Sequence, residues 1–315
     1  MIFCSCASVA PDDTSDPADV SDNFPYTFTD STGASITLDA TPETVAILFS
    51  SYADIWQSAG GTIDVTVGEA IERGFADEGA ILVDPGSGHS TIDLETLVAA
   101  EPDLVIGTAD YACQAEAAEF CRSAGIPAAA FTDESFDDYL ALLRICCDIT
   151  GAEDRYTELG VNVKAQIDGL KSEVESYLSG SDAAPPEILF VRAGSSDKST
   201  KAKTAADNFV CVMLEELGAV NIADSQGELT GSLSLELIIE ADPDFMFITT
   251  MGDEAAAIDH MTSKLSESGW RELSCVKDGN YEFLPKELFH FKPNSRWAEA
   301  YRHLAAMLYP ELGLE

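Results

Sequence analysis

One phrase occurs twice in this chain. Ile92 to Thr108 reads IDLETLVAAEPDLVIGT and Leu233 to Thr249 reads LSLELIIEADPDFMFIT, and the two align without a gap at an offset of 141 residues. Leu94, Glu95, Ala100, Pro102, Asp103 and Thr108 fall on Leu235, Glu236, Ala241, Pro243, Asp244 and Thr249. In each copy a polar residue, Asp93 or Ser234, precedes a short apolar-periodic run, which is how a helix start is written. Each helix must stop before its proline, at Glu101 or Asp242, because a residue preceding proline is pushed out of the helical region. The apolar runs Leu104–Ile106 and Phe245–Ile248 that follow read as strands covered on both faces in a parallel sheet. A chain that repeats such a unit is expected to hold two similar α/β lobes.

The length of 315 residues permits two domains, and 46% hydrophobic residues suffice for two packed cores. No stretch reaches the roughly 18 uninterrupted apolar residues a membrane helix needs. Seventeen basic residues against 56 acidic ones give a net charge of −39, so phosphate backbones and anionic lipid surfaces would repel the chain. Nucleic acid is therefore not an expected partner; the acidity reads as a solvated surface.

Residues 1–24 lack a charged n-region and a full apolar h-region. Their small-residue cysteine site, followed by an Asp/Ser/Pro/Thr tether, resembles the start of a mature bacterial lipoprotein, with Cys6 or Cys4 as the lipidated residue. Six further cysteines, Cys113, Cys121, Cys146, Cys147, Cys211 and Cys275, suit an oxidising compartment without requiring one. Cys113 and Cys121 on one helix would stand ~12 Å apart along its axis, beyond disulfide reach. No CxxC occurs, and buried structural thiols are expected.

The first lobe, residues 25–152, opens with YTFTDSTGASITL, a hairpin pattern. Strands are expected at Val45–Phe49, Asp64–Gly68, Leu104–Thr108 and Ala128–Thr132, and helices at Tyr52–Ala59, Gln114–Ala124 and Phe136–Thr150. Residues 153–180 carry Leu159, Val163, Ile167, Leu170, Val174 and Leu178 at three-to-four spacing, the mark of one long amphipathic helix. From about Glu153 to Leu178 it would span ~39 Å at ~1.5 Å per residue and join the lobes as a rigid strut. The second lobe, residues 181–315, is expected to place strands at Ile188–Arg192, Phe245–Thr250 and Tyr281–Leu284, with helices at Ala206–Leu217 and Arg296–Leu308.

Two α/β lobes with parallel-rich sheets, one long connecting helix and the duplicated LE…PD phrase resemble the helical-backbone class of ABC-importer solute-binding proteins, the family that handles siderophores, haem and cobalamin. The resemblance covers about Tyr26 to Leu312 and includes TPETVAILFSSYADIWQSAG, NFVCVMLEELGAVNIAD and HFKPNSRWAEAYRHLAAMLYP. It implies an extracytoplasmic, lipid-anchored monomer that captures an iron complex, ferric siderophore or haem, between its lobes and delivers it to a membrane permease dimer. A corrinoid cargo is the alternative within the class. It also implies that Glu95 and Glu236 dock onto permease arginines; without the resemblance both read equally as carboxylates favoured in a first helical turn.

In open α/β sheets ligands lie outside the carboxyl ends of the strands. That rule selects Ser50, Ser51, Tyr52, His89, Asp110 and Tyr111 in the first lobe. In the second it selects Arg192, the SSDKSTKAK loop with Lys198, Lys201 and Lys203, and the segment Phe289, His290, Phe291, Lys292 and Arg296. The ligand contacts expected from these are Tyr52, His89, Tyr111, Arg192, Lys201, Phe289, His290, Lys292 and Arg296. Cations and an imidazole beside aromatic faces suit a flat, anionic ligand, and Arg192 is the leading anion contact. His260 and His303 read as ordinary satisfied histidines. No HExxH, GxSxG, Walker or GxGxxG pattern is present, so no catalytic residue, resident metal or cofactor is expected. A chelatase-like tetrapyrrole enzyme is the rival class, because it shares the architecture.

Overall fold

A computed structural model describes residues 24–84, 91–181 and 184–314. The chain opens with the antiparallel hairpin β1 (Tyr26–Thr29) and β2 (Ser35–Leu38). The first lobe is built on β3 (Val45–Ile47), β4 (Val65–Thr66), β5 (Ile81–Leu82), β6 (Leu104–Thr108) and β7 (Ala128–Phe131). These form one parallel sheet in the order β5-β4-β3-β6-β7. The second lobe contains β8 (Glu187–Ala193), β9 (Lys201–Ala202), β10 (Val220–Asn221), β11 (Phe245–Thr250) and β12 (Tyr281–Phe283). Its order is β10-β8-β11-β12, all parallel, with the short β9 antiparallel on β8.

The duplicated phrase occupies equivalent places. Its strand halves, β6 and β11, each pair with the first core strand of their own sheet, β3 and β8. Its helices are Leu94–Ala99 and Leu235–Ala241. Glu101 and Asp242, the residues before the prolines, leave the helix through left-handed backbone, φ 49° and 46°. The aspartate after each proline then closes the neighbouring strand. Asp103 N–H donates to the Thr44 carbonyl and Asp244 N–H to the Glu187 carbonyl, each at 2.8 Å. In return the Asp103 carboxylate accepts from the N–H groups of Glu43 and Thr44, and the Asp244 carboxylate from that of Glu187. The EPD/DPD pattern thus has a local purpose: it turns a helix into a central strand and satisfies backbone donors that would be orphaned at the strand start. The capping is less symmetric, since Asp93 accepts from Thr96 N–H whereas Ser234 makes no side-chain cap.

The connecting segment is helical from Glu153 to Gly180, but it is not one regular helix. A π-turn at Thr157–Val161 separates Glu153–Tyr156 from Asn162–Gly180. The Tyr139 hydroxyl donates to the Leu159 carbonyl inside that turn, and a Cβ on Gly160 would lie 2.7 Å from Leu140 Cδ1. The widened turn and the missing side chain let the strut pass close against the helix Phe136–Thr150.

Two separate cores are expected from the composition; the packing is different. Val163, Ile167, Leu170 and Val174 of the strut pack with the final helix, Trp297–Leu308, and one apolar cluster runs from the first lobe through both helices to Ile188, Phe190 and Phe247. Alternate residues of the same strands, Leu189, Val191, Met246 and Ile248, face a second cluster on the far side of the second sheet. The period of two along β8 and β11 divides these cores, and the lobe boundary does not. All six cysteines in the described residues are free thiols, five of them buried.

Candidate functional site

Strand order fixes where a cleft can form. In the first sheet the chain moves outward from β3 through β4 to β5, then returns to β6 and moves the other way, so β3 and β6 flank a switch point. In the second, β8 and β11 do the same. Ligands favour the carboxyl ends of such strand pairs. Here the two switch points contribute to one cavity of about 350 Å³, with Phe49, Ser50, Ser51 and Tyr111 on one wall and Arg192, Thr249, Met251 and Gly252 on the other. The helices Ser50–Ser58, Ala112–Ser123 and Phe209–Glu216 begin at this cavity. Their N-terminal ends carry partial positive charge and favour an anion.

Among the expected contacts, the structure gathers Tyr111, Arg192, Phe289, His290 and Lys292 around this cavity. Arg192 stands at the end of β8 with no hydrogen-bonding or ionic partner among the described residues. Burial raises the Tyr111 phenol, and the Arg192 charge opposes that shift. His290 Nδ1 lies 2.7 Å from the Thr250 carbonyl. A carbonyl only accepts, so Nδ1 carries the proton and Nε2 keeps its lone pair. Burial lowers the His290 pKa, with Lys286 and Arg192 acting in the same sense, which favours the neutral ring. Phe289 is nearly closed off and packs on His303 with ring centroids 5.4 Å apart.

Tyr52, Lys201 and Arg296 are expected in the cleft, and the structure places each elsewhere. The helix expected to begin at Tyr52 begins at Ser50. Tyr52 is therefore its third residue, turned into the core, with its hydroxyl donating to the Phe131 carbonyl. Lys201 lies exposed on the edge strand β9. Arg296 binds Glu299 through two bonds of 2.7 Å outside the cavity. Lys203 is engaged by Asp207, and His303 by Glu282. His89 and the lipidation candidates Cys6 and Cys4 lie outside the described residues.

Four other residues shape the site without having been singled out in the sequence. Arg73, just past a short helix Gly68–Glu72, donates to Ser50 at 3.0 Å and places its guanidinium 3.9 Å from the Phe291 ring centroid, across the lobe boundary. Glu69 accepts from Ser50. Glu134 accepts from Lys292 of the other lobe at 3.0 Å. Asn294, buried and left-handed at φ 52°, donates to the Ser51 carbonyl and to Asp54. Their only signal in sequence is polarity just after a strand or inside the PKELFHFKPNSR segment. Among the described residues no three His, Cys, Asp or Glu side chains converge as a metal site.

Glu95 and Glu236 are exposed, in the first turns of the duplicated helices. The duplicated phrase thus supplies one exposed carboxylate in each lobe.

A family model described as "Periplasmic binding protein" matches residues 45–288. Among curated proteins, an uncharacterized ABC transporter substrate-binding lipoprotein of Bacillus subtilis (strain 168), YvrC, is 23% identical over 316 aligned positions, covering 99% of this chain and 94% of the relative. The solved structure of Staphylococcus aureus SirA complexed with staphyloferrin B superposes with a TM-score of 0.67 at 16% identity, covering 92% of this chain and 99% of that one. The apo form of RhuT, a periplasmic haem-binding protein from Roseiflexus sp. RS-1, gives 0.65 at 19% identity, covering 85% and 98%.

Proposed function

This chain belongs to the periplasmic binding protein family, and from that premise we propose that it is the extracytoplasmic substrate-binding component of an ABC importer, capturing an anionic iron complex for a membrane permease. The observation that carries the cargo class is Arg192: a guanidinium without a hydrogen-bonding or ionic partner among the described residues, at the meeting of two switch points, faced by Tyr111 and flanked by helix N-termini. A guanidinium offers paired donors to carboxylate or catecholate oxygens. Phe49, Phe209 and Phe291 add aromatic faces for a flat chelate, and His290 Nε2 offers one neutral lone pair. The similar structures include a haem-binding protein and a staphyloferrin B complex, which supports an iron chelate as cargo. The role is capture and delivery. The shared core limits closure to small movements, Glu95 and Glu236 seat the loaded protein on the permease, and a lipid on Cys6 would hold it at the membrane.

Titration of the purified protein with haemin, cobalamin and a panel of ferric siderophores tests this, read by visible absorbance and by quenching of Trp297. That indole packs on Phe209 of the cavity wall at 5.6 Å. Sub-micromolar binding of one iron complex without turnover is the expected result. A response to cobalamin alone would change the cargo, and insertion of metal into a porphyrin would replace a binding protein with a chelatase.

A further inference from the structure

One carboxyl group in the lobe junction has no settled partner among the described residues. Asp133 follows β7 at its carboxyl end, is 1% exposed, and neither of its side-chain oxygens has a hydrogen-bond partner there. A buried carboxylate without donors is costly. The next residue, Glu134, lines the cavity and holds the Lys292 ammonium, which reaches across from the second lobe, is itself only 12% exposed, and also lies 4.7 Å from the Phe209 ring centroid. Two adjacent carboxyls, one wet and one buried, thus stand against a single lysine.

We propose that Asp133 is a second, buried seat for the Lys292 ammonium, and that its ionisation draws Lys292 off Glu134, leaving a bare carboxylate in the cleft that repels an anionic cargo. Asp133 acts here as a positioning residue, through Lys292. The inference rests on the anionic cargo proposed above.

The charges facing Asp133 support the competition. Lys292 is the favourable charge on it, whereas Glu134 beside it, Asp138 at the start of the helix Phe136–Thr150 and Asp110 beyond β6 all oppose its ionisation. Tyr52 and Tyr139 face it from two helices and are themselves held neutral by burial, with Asp133 adding to that effect. Burial dominates and raises the Asp133 carboxyl to about 7. Below neutrality Asp133 is neutral, Lys292 stays with Glu134, and that part of the wall carries no net charge. Above neutrality one lysine serves two carboxylates. The pair buried away from water is the stronger one, so Glu134 is left uncompensated beside the cargo.

Two measurements on the full chain test this. In the first, haemin affinity is compared at about pH 6 and about pH 8 for the native protein and Asp133→Asn. The native protein should weaken by on the order of tenfold between the two, a like-charge contact of ordinary size, and Asp133→Asn should hold its acid-side affinity at both. Equal pH ratios in the two proteins would overturn the proposal. The second needs no cargo: the carbon-13 carboxyl signal that Asp133→Asn removes is titrated in the native protein, Lys292→Met and Glu134→Gln. Its midpoint should rise in Lys292→Met and fall in Glu134→Gln. A midpoint indifferent to both would show that Lys292 has one seat only. If haemin does not bind at either pH, haem is excluded as the cargo and the carboxyl titration still decides whether Lys292 is shared.

Discussion

Asn294 Nδ2 donates to Asp54 Oδ2 at 2.7 Å and to the Ser51 carbonyl at 2.8 Å, joining the segment after β12 to the first helix of the other lobe. The bond is made from left-handed backbone, which asparagine tolerates better than most residues because its short polar side chain bonds locally. Burial raises the Asp54 carboxyl and the Asn294 bond opposes that rise. Asn294→Ala removes both bonds and strains the backbone, and should cost about 2–4 kcal/mol in denaturant unfolding. Asn294→Gly, which relieves the strain, should recover about 1 kcal/mol of that loss. Equal losses in the two variants would mean that the left-handed conformation is not what makes asparagine suited to this position.

Asp133 sets a pH dependence of stability that is independent of any cargo. Its folded value, about 7, lies above the ordinary aspartate value of 3.8, so between the two the folded chain holds a proton that the unfolded chain has released. Stability therefore falls as pH rises from about 4 to about 7 and then levels. At about 1.4 kcal/mol per pH unit, the loss approaches ~4 kcal/mol if nothing relaxes. Urea midpoints across this range should decline in the native protein, and the decline should be shallower in Asp133→Asn. Asp54, raised for the same reason, adds to the decline, and His290, lowered by burial, opposes it below its ordinary value of 6.5.

The elements readable in the sequence are those with long or repeated signals. The duplicated phrase locates β6 and β11, because two prolines and two aspartates are each needed where they stand. The strut is visible through Val163, Ile167, Leu170 and Val174, although the π-turn at Thr157–Val161 leaves no trace in that spacing. The strands β5, β9 and β10 are two residues each, too short for a period to register. In the site, position after a strand selects Arg192, Tyr111 and His290, which line the cavity. It could not tell which way Tyr52 points: a helix that starts two residues early turns each side chain by ~200°, at ~100° per residue. Arg73 escaped notice because its place depends on Phe291, more than 200 residues later.

If Glu95 and Glu236 dock the permease as proposed, they allow delivery to be tested apart from capture. Both carboxylates are exposed, and neither lines the cavity. Replacing either with alanine should leave cargo affinity in solution unchanged, and the double variant should abolish uptake in a reconstituted importer while each single variant retains part of it. Undiminished uptake by Glu95→Ala, Glu236→Ala together would reduce the glutamates to first-turn helix charges worth about 0.3–1 kcal/mol each.

Arg192 and Lys201 are directly opposed in the antiparallel pairing of β8 with β9, so the two cations leave the same face of the sheet, yet only Arg192 lines the cavity. This neighbouring pair distinguishes a contact from a field. Arg192→Ala removes a charge-assisted bond and should weaken an anionic chelate by about 1.5–3 kcal/mol, roughly 10- to 150-fold. Arg192→Lys restores the charge without the fork and should recover only part of the affinity. Lys201→Ala removes the same formal charge from a solvated edge strand, where salt screens it within about 10 Å at 0.1 M, and should change the dissociation constant by less than about twofold. Isothermal titration at low and high salt separates the two effects: the loss in Arg192→Ala should persist as salt rises, and any loss in Lys201→Ala should vanish. If both variants lose affinity equally and both losses disappear in salt, the cleft attracts its cargo through the summed field, and Arg192 does not hold it by direct contact.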